Sequence, residues 1–169
     1  RSCQRAGVAT TTLHFNGECS PEAIEKLLSI VGTDRPAIVV AAGGGKCIDA
    51  GKGLGHRLGT RIATVPTIAS NDSPTSHIYV LYDSDHRLLS VEKLQRNPDL
   101  ILVDTDVLVR APSVFLLAGI GDCYVKKFEV EACVQSGGRN VFGSRPSLAA
   151  LAMARGCYEI LRQDASSAL

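Results

Sequence analysis

Apolar positions along this chain follow two periods, and the place where one gives way to the other orders the whole sequence. Ala37 to Ala42 is an unbroken apolar run of strand length, the pattern expected of a parallel strand covered on both faces. Gly43, Gly44 and Gly45 end it, and helical spacing takes over from about Lys46 to Leu58. Upstream, Ser20-Pro21-Glu22 is a helix start: serine as cap acceptor, proline at the first helical position, a carboxylate at the positive dipole end. Ile24, Leu27, Leu28 and Val31 continue that helix to Gly32. Ile62–Val65 and Leu100–Val103 read as further buried strands, the second ending in Asp104. Ile78–Leu81 and Leu88–Val91 flank the turn formers Asp83-Ser84-Asp85-His86, which predicts a β-hairpin. From Ala111-Pro112 the period is helical only: Val114–Gln135, with Val125, Phe128 and Ala132 on one face and Gly137-Gly138 as the stop, then Pro146–Leu161. The pattern therefore predicts an α/β unit over 1–110 followed by helices over 111–169, with the boundary near Arg110.

Gly51, Gly53 and Gly55 stand inside the predicted Lys46–Leu58 helix, each at a cost of roughly 1 kcal/mol relative to alanine. Close packing against a sheet or a ligand would account for them; a frayed helix is the plainer alternative. The glycine triplet ahead of them can bring backbone N–H groups to an anion, because glycine accepts positive φ and leaves no Cβ in the way. The motif is not G-x-G-x-x-G, so a structural turn between strand and helix stays open beside a phosphate cradle. Pro66 to Ser76 packs hydroxyls, an amide and a carboxylate between two prolines at the end of the next strand, where open α/β sheets hold ligands. A loop satisfying its own backbone is the alternative.

Composition narrows the class. In 169 residues, 18 Lys and Arg balance 17 Asp and Glu with no run of one sign, which argues against nucleic acid or an anionic membrane and for a small-molecule ligand. No apolar run has the length of a membrane span and no leader pattern precedes the first residues, so a cytoplasmic setting is expected. The 6 cysteines include no C-x-x-C pair, which suits reduced, mostly buried thiols. Asp122 follows Gly119-Ile120-Gly121, where glycines would let a helix start approach a cleft; a carboxylate in a first helical turn is also simply a dipole partner. The 4 histidines, His14, His56, His77 and His86, all precede Asp122, and none is spaced as H-E-x-x-H.

Taken together, GGGKCIDAGK at Gly43–Lys52, PTIASNDSPTS at Pro66–Ser76 and AGIGDCYVKKFEVEACVQSG at Ala118–Gly137 resemble the glycerol dehydrogenases of the iron-containing, or group III, alcohol dehydrogenase superfamily. FNGECS at Phe15–Ser20 and NPDLILVDTDVL at Asn97–Leu108 extend the likeness to nearly the whole chain. The resemblance implies a dehydroquinate synthase-like α/β fold: a partial parallel-sheet nucleotide-binding domain, then the start of an α-helical metal-binding domain. It implies NAD, with Gly44, Gly45 and Lys46 at its pyrophosphate and Thr67, Ser70, Ser76, Ile78 and Tyr82 along the nicotinamide half. It implies zinc, with Asp122 as ligand, and a small polyol whose hydroxyls Asp72 would hold. The implied reaction is oxidation of glycerol or a similar vicinal diol to dihydroxyacetone, in an enzyme that is a homo-oligomer at full length.

Two departures accompany the likeness. The family's remaining zinc ligands are histidines downstream of the aspartate, and here no histidine follows His86. Its acid for the adenosine ribose lies in a portion that would precede Arg1. The chain thus reads as a fragment lacking both ends, with sheet edges exposed and a tendency to associate. A non-catalytic nucleotide-binding fragment is the alternative function. A dehydroquinate synthase-like or glycerol-1-phosphate dehydrogenase activity is another, although the Asn71-Asp72-Ser73 loop offers no basic residue for a phosphate substrate.

Overall fold

The computed structural model describes residues 2–169; Arg1, the first residue of the expected α/β unit, lies outside them. A short helix, α1 (Ser2–Arg5), precedes an extended stretch that leads to α2 (Pro21–Val31). α2 begins as its sequence predicts. Ser20 Oγ accepts the Ala23 N–H at 3.2 Å, Pro21 takes the first helical position, and Gly32 at φ 61° donates its N–H to the Leu28 carbonyl. Ile24 and Leu27 are the buried pair on its inner face.

The chain then forms β1 (Ile38–Gly43), α3 (Gly45–Leu58) and β2 (Arg61–Pro66), a crossover that sets β1 and β2 parallel, with Ile38 opposite Arg61 and Gly43 opposite Pro66. A hairpin of β3 (Ile78–Tyr82) and β4 (Leu88–Lys93) follows. Its turn is held by Asp83, whose Oδ1 accepts the N–H groups of Asp85 and Arg87, and His86 sits at φ 61°. β5 (Leu100–Ile101) joins β2 in parallel, giving a 3-stranded sheet ordered β1-β2-β5 with the hairpin as a separate pair. α4 (Thr105–Leu108), capped by Asp104, leads to α5 (Ser113–Gln135) and α6 (Leu148–Ala168). No helix among the described residues is long and apolar enough to cross a membrane.

The core lies where α3 meets the sheet on one side and α2 and the hairpin on the other. Cys19, Ile24, Leu27, Ala50, Leu54, Ile62, Tyr79 and Leu94 close it. A fully buried Ile or Leu here is worth roughly 1.5–3 kcal/mol. The helix glycines are explained by this contact: a Cβ on Gly51 would collide with Ala41, one on Gly53 with Ile24, and one on Gly55 with Ile62. Helix and sheet approach closely because those side chains are absent.

Several expectations need correction. β1 is covered on one face only: Ala41 packs on α3, while Ile38 and Val40 are 39% and 57% exposed. An apolar run is the signature of two covered faces, but it records what the residues can bury, and no element among the described residues lies on the second face. β5 is shorter than Leu100–Val103 and exposed for the same reason, since it edges the sheet without a helix over it. The last helix starts at Leu148, capped by Ser147, and runs to Ala168, because Ser and Ala continue it past Leu161. The cysteines are all free thiols, yet only Cys19 is buried, and Cys3 and Cys157 are exposed.

Candidate functional site

The glycine turn between β1 and α3 is the centre of the candidate site. Gly43 has φ 159°, Thr67 donates its N–H back to the Gly43 carbonyl at 3.1 Å, and Gly44 is the N-cap of α3 with no side chain capping the first turn. The positive end of a 14-residue helix is thereby left open. It faces a cavity of about 420 Å³ lined by Gly44, Gly45, Lys46 and Cys47 on the turn side and by Ile68, Ser70 and Asn71 of the next loop. Phe15, Asn16, Gly17 and Phe115 complete the wall. An open helix N-terminus over a cavity is an anion seat, where aligned backbone dipoles favour negative charge. A Cβ on Gly44 would stand 2.8 Å from Ile68 Cδ1, and one on Gly45 would run into the Asn71 amide, so the glycines also let the 66–76 loop close against the turn.

Lys46 does not point freely into this cavity. Its ammonium pairs with the Glu18 carboxylate, which also lies 3.1 Å from His86 Nδ1. Cys47 donates its thiol to the Ala42 carbonyl at 3.3 Å, and burial raises its pKa, so it stands in the cavity wall as a neutral group.

The other residues singled out in the sequence fall into two further groups. Ser76 and Ile78 sit behind the loop, where Lys52 Nζ lies 3.2 Å from Ser76 Oγ and 2.7 Å from the Ile78 carbonyl. Tyr82, at the end of β3, donates its N–H to the Cys19 carbonyl and stands apart from the cavity wall. Asp72 and Asp122 are brought together: the Asp72 N–H donates to Asp122 Oδ2 at 3.2 Å, and Lys126 Nζ lies 3.4 Å from Asp72 Oδ2 and 3.8 Å from Asp122 Oδ1. Burial works to lower the Lys126 pKa, but Asp72, Asp122 and Glu129 together outweigh it and hold the ammonium above its ordinary value.

Asp122 is in the middle of α5, not in a first helical turn, because α5 already begins at Ser113. The dipole explanation for this carboxylate therefore falls away. The role foreseen for a glycine ahead of it is met at Gly119, where a Cβ would strike the Ala69 carbonyl oxygen, but not at Gly121, which faces open space. Among the described residues no group of three or more His, Cys, Asp or Glu side chains is placed to hold a metal. A single carboxylate already paired with an ammonium does not make a zinc centre, which takes three protein ligands when catalytic. The donors present do not fit zinc by themselves.

Sequence reasoning missed the polar knot behind the loop. Lys52 is fully buried, and Asp49 beside it accepts from Ser73 Oγ, from Lys52 and, through Oδ2, from the Val80 N–H at 3.0 Å. Burial lowers the Lys52 pKa, with the Asp49 charge opposing. The available signal was a pair of charges three apart on the same glycine-lined helix that packs on the sheet.

Comparison with known proteins bears on this geometry. The model for iron-containing alcohol dehydrogenases matches residues 1–105, more than half of the chain. The chain belongs to that family. As a member of it, it is 43% identical to a glycerol dehydrogenase from Thermotoga maritima over 87% of its length and 40% of the relative's. It is 39% identical to a glycolaldehyde reductase from Halobacterium salinarum over 99% of its length and 46% of that protein's. The crystal structure of glycerol dehydrogenase from Schizosaccharomyces pombe superposes with a TM-score of 0.90 at 35% identity, covering 98% of this chain and 42% of that one. This family member thus spans less than half the length of the relatives it matches.

Proposed function

We propose that this chain carries the dinucleotide-binding part of an NAD-dependent polyol dehydrogenase that oxidises glycerol or a similar vicinal diol to dihydroxyacetone in the cytoplasm, as a homo-oligomer at full length. The observation that carries the reading is the uncapped N-terminus of α3 over its cavity, in a chain 43% identical to a glycerol dehydrogenase. In this reading the amides around Gly44, Gly45 and Lys46 bind the pyrophosphate, and Lys46 exchanges Glu18 for a phosphate oxygen. Thr67, Ser70, Ser76, Ile78 and Tyr82 would follow the nicotinamide half, and NAD would supply a hydride acceptor for the carbinol carbon while the hydroxyl proton leaves to solvent. Asp72 accepts hydrogen bonds from the substrate hydroxyls, and Asp122 fixes Asp72 through its backbone N–H. The family resemblance gives Asp122 a zinc-ligand role as well; the donors among the described residues do not complete that site.

The division 1–110 and 111–169 belongs to the same proposal, with α5 supplying Asp122 from the second part. A second reading, nucleotide binding without turnover, is favoured by the lack of an assembled metal-ligand group among the described residues. Titration of the chain with NADH, followed by nicotinamide fluorescence, tests the common part: enhancement that is lost in Lys46→Glu is expected, and no enhancement overturns both readings. Glycerol-dependent reduction of NAD, with zinc added, then separates them, since turnover abolished by Asp122→Ala supports the dehydrogenase and binding alone supports the second reading.

A further inference from the structure

The buried pair Asp49–Lys52 lies outside the cavity and touches no proposed ligand, yet it carries more polar contacts than any residue that does. Lys52 Nζ has four oxygen partners: Ile78 O at 2.7 Å, Ser76 Oγ at 3.2 Å, Ser73 Oγ at 3.3 Å and Asp49 Oδ1 at 3.5 Å. An ammonium has three protons to give, so this side chain is saturated. Asp49 takes Ser73 Oγ and the Val80 N–H in addition. From the opposite side Thr64, also fully buried, donates to the Pro74 carbonyl at 2.9 Å. Apart from the Lys52–Asp49 contact itself, each of these bonds ends on the segment from Ser73 to Val80, and both charges stand on α3, whose first turn is the glycine cradle.

A solvent-exposed loop would not require this arrangement. Taking an ammonium wholly out of water costs several kcal/mol unless partners replace the water, and a packed apolar side chain of similar size is often as stable or more so. What a charge pair provides that an apolar side chain does not is direction: fixed bonds to named oxygen atoms. Lys52 lies seven residues past Gly45, or about 10 Å along the helix axis. α3 therefore acts as a rod with the pyrophosphate seat at one end and a clamp on Ser76 and Ile78 part-way along.

We propose that Asp49 and Lys52 are positioning residues that set the nicotinamide-side segment, Ser73 to Ile78, at a fixed distance from the pyrophosphate seat. The proposal rests on the dinucleotide reading above. It separates the two halves of the ligand: the helix N-terminus needs neither residue to bind a pyrophosphate, whereas the nicotinamide half meets a segment whose Ser73, Ser76 and Ile78 oxygen atoms the pair holds from α3.

The test compares NADH with ADP-ribose, which keeps the pyrophosphate and lacks the nicotinamide, on the chain as it stands and on Lys52→Gln. NADH affinity is expected to fall at least tenfold, with ADP-ribose affinity changed less than twofold. Equal losses for both ligands, or no loss for either, overturn the proposal. Should Lys52→Gln fail to fold, Ser73→Ala removes a partner of both Lys52 and Asp49 while keeping the charge pair and every residue assigned to the ligand, and the same split, smaller in size, is expected. Hydrogen exchange gives a readout without ligand: amides of Ser73 to Val80 should exchange at least tenfold faster in either variant while those of α2 do not. Unchanged exchange there overturns the proposal. If the unaltered chain binds neither ligand, the dinucleotide reading fails, and the exchange result alone decides whether the pair holds the segment.

Discussion

α3 and α5 are both helices with internal glycines and abundant apolar residues, and they are held in opposite ways. α3 has 14 residues, seven of them buried from Ile48 to Gly55, and each of its mid-helix glycines meets a named side chain of α2, β1 or β2. α5 has 23 residues and none buried; Val114, Phe115, Leu117, Val125, Phe128 and Val134 lie exposed. Its partners include α6, through Tyr124 Oη donating to Tyr158 Oη at 3.0 Å and Arg155 Nε donating to Glu131 at 2.8 Å, and the 66–76 loop, through the backbone at Ala69 and through Asp72, whose N–H donates to Asp122 Oδ2. Length and apolar content thus say little about how firmly a helix is held. Packing of an apolar face does, and α3 has neighbours on its apolar face where α5 has few.

The sharpest way to break the contrast is Asp49→Ala. It leaves the Lys52 ammonium buried without its counter-charge and should cost about 3–5 kcal/mol of stability, read as a lower urea midpoint. A loss below about 1 kcal/mol would mean that α3 owes nothing special to the pair.

Alkaline titration is next. Burial, and then the Asp49 charge, push the Cys19 thiol from 9.0 up to about 12, against Lys52. Above pH 9.0 the unfolded chain gives up this proton while the folded chain keeps it, so the folded state loses stability as pH rises, by up to about 1.4 kcal/mol per unit. The lowered Lys52 works in the opposite sense, since there the folded state releases its proton first. Cys19→Ala should flatten the alkaline decline in urea midpoint; an undiminished decline would place its origin elsewhere.

The smallest change is expected on the helical side. Arg155→Ala removes an exposed ion pair and should cost under about 1 kcal/mol. Amides of α5 and α6 should still exchange well before those of α3, because local opening follows the scarcity of buried contacts. Protection in α5 equal to that in α3 would erase the comparison.

Much of this was legible beforehand. Ser20-Pro21 marks the start of α2 and Gly32 its end because caps are local: a side-chain oxygen and a positive φ act within four residues. The glycines of α3 point to close packing, since their cost demands a reason, and of the two glycines expected to bring a helix start to a cleft, Gly119 does make a close approach, to the backbone at Ala69. What stayed hidden depends on residues far apart in sequence. Nothing near Ile38 or Val40 tells whether a second layer covers them. Lys52 reads as an ordinary helix lysine until Ser73, Ser76 and Ile78 are folded over it. Asp122 was misplaced because two glycines suggested a helix start, whereas α5 passes straight through them.

The saturation of Lys52 also fixes how small a portable version of this cradle can be. Four residues from Gly43 to Lys46, grafted onto another strand and helix, would supply the open amides but leave the facing loop unanchored. A graft that keeps the cradle and the Ser73–Ile78 segment in register has to carry α3 as far as Lys52 together with the whole span from Thr64 to Val80, so the transplantable unit is a folded βαβ corner and not a turn.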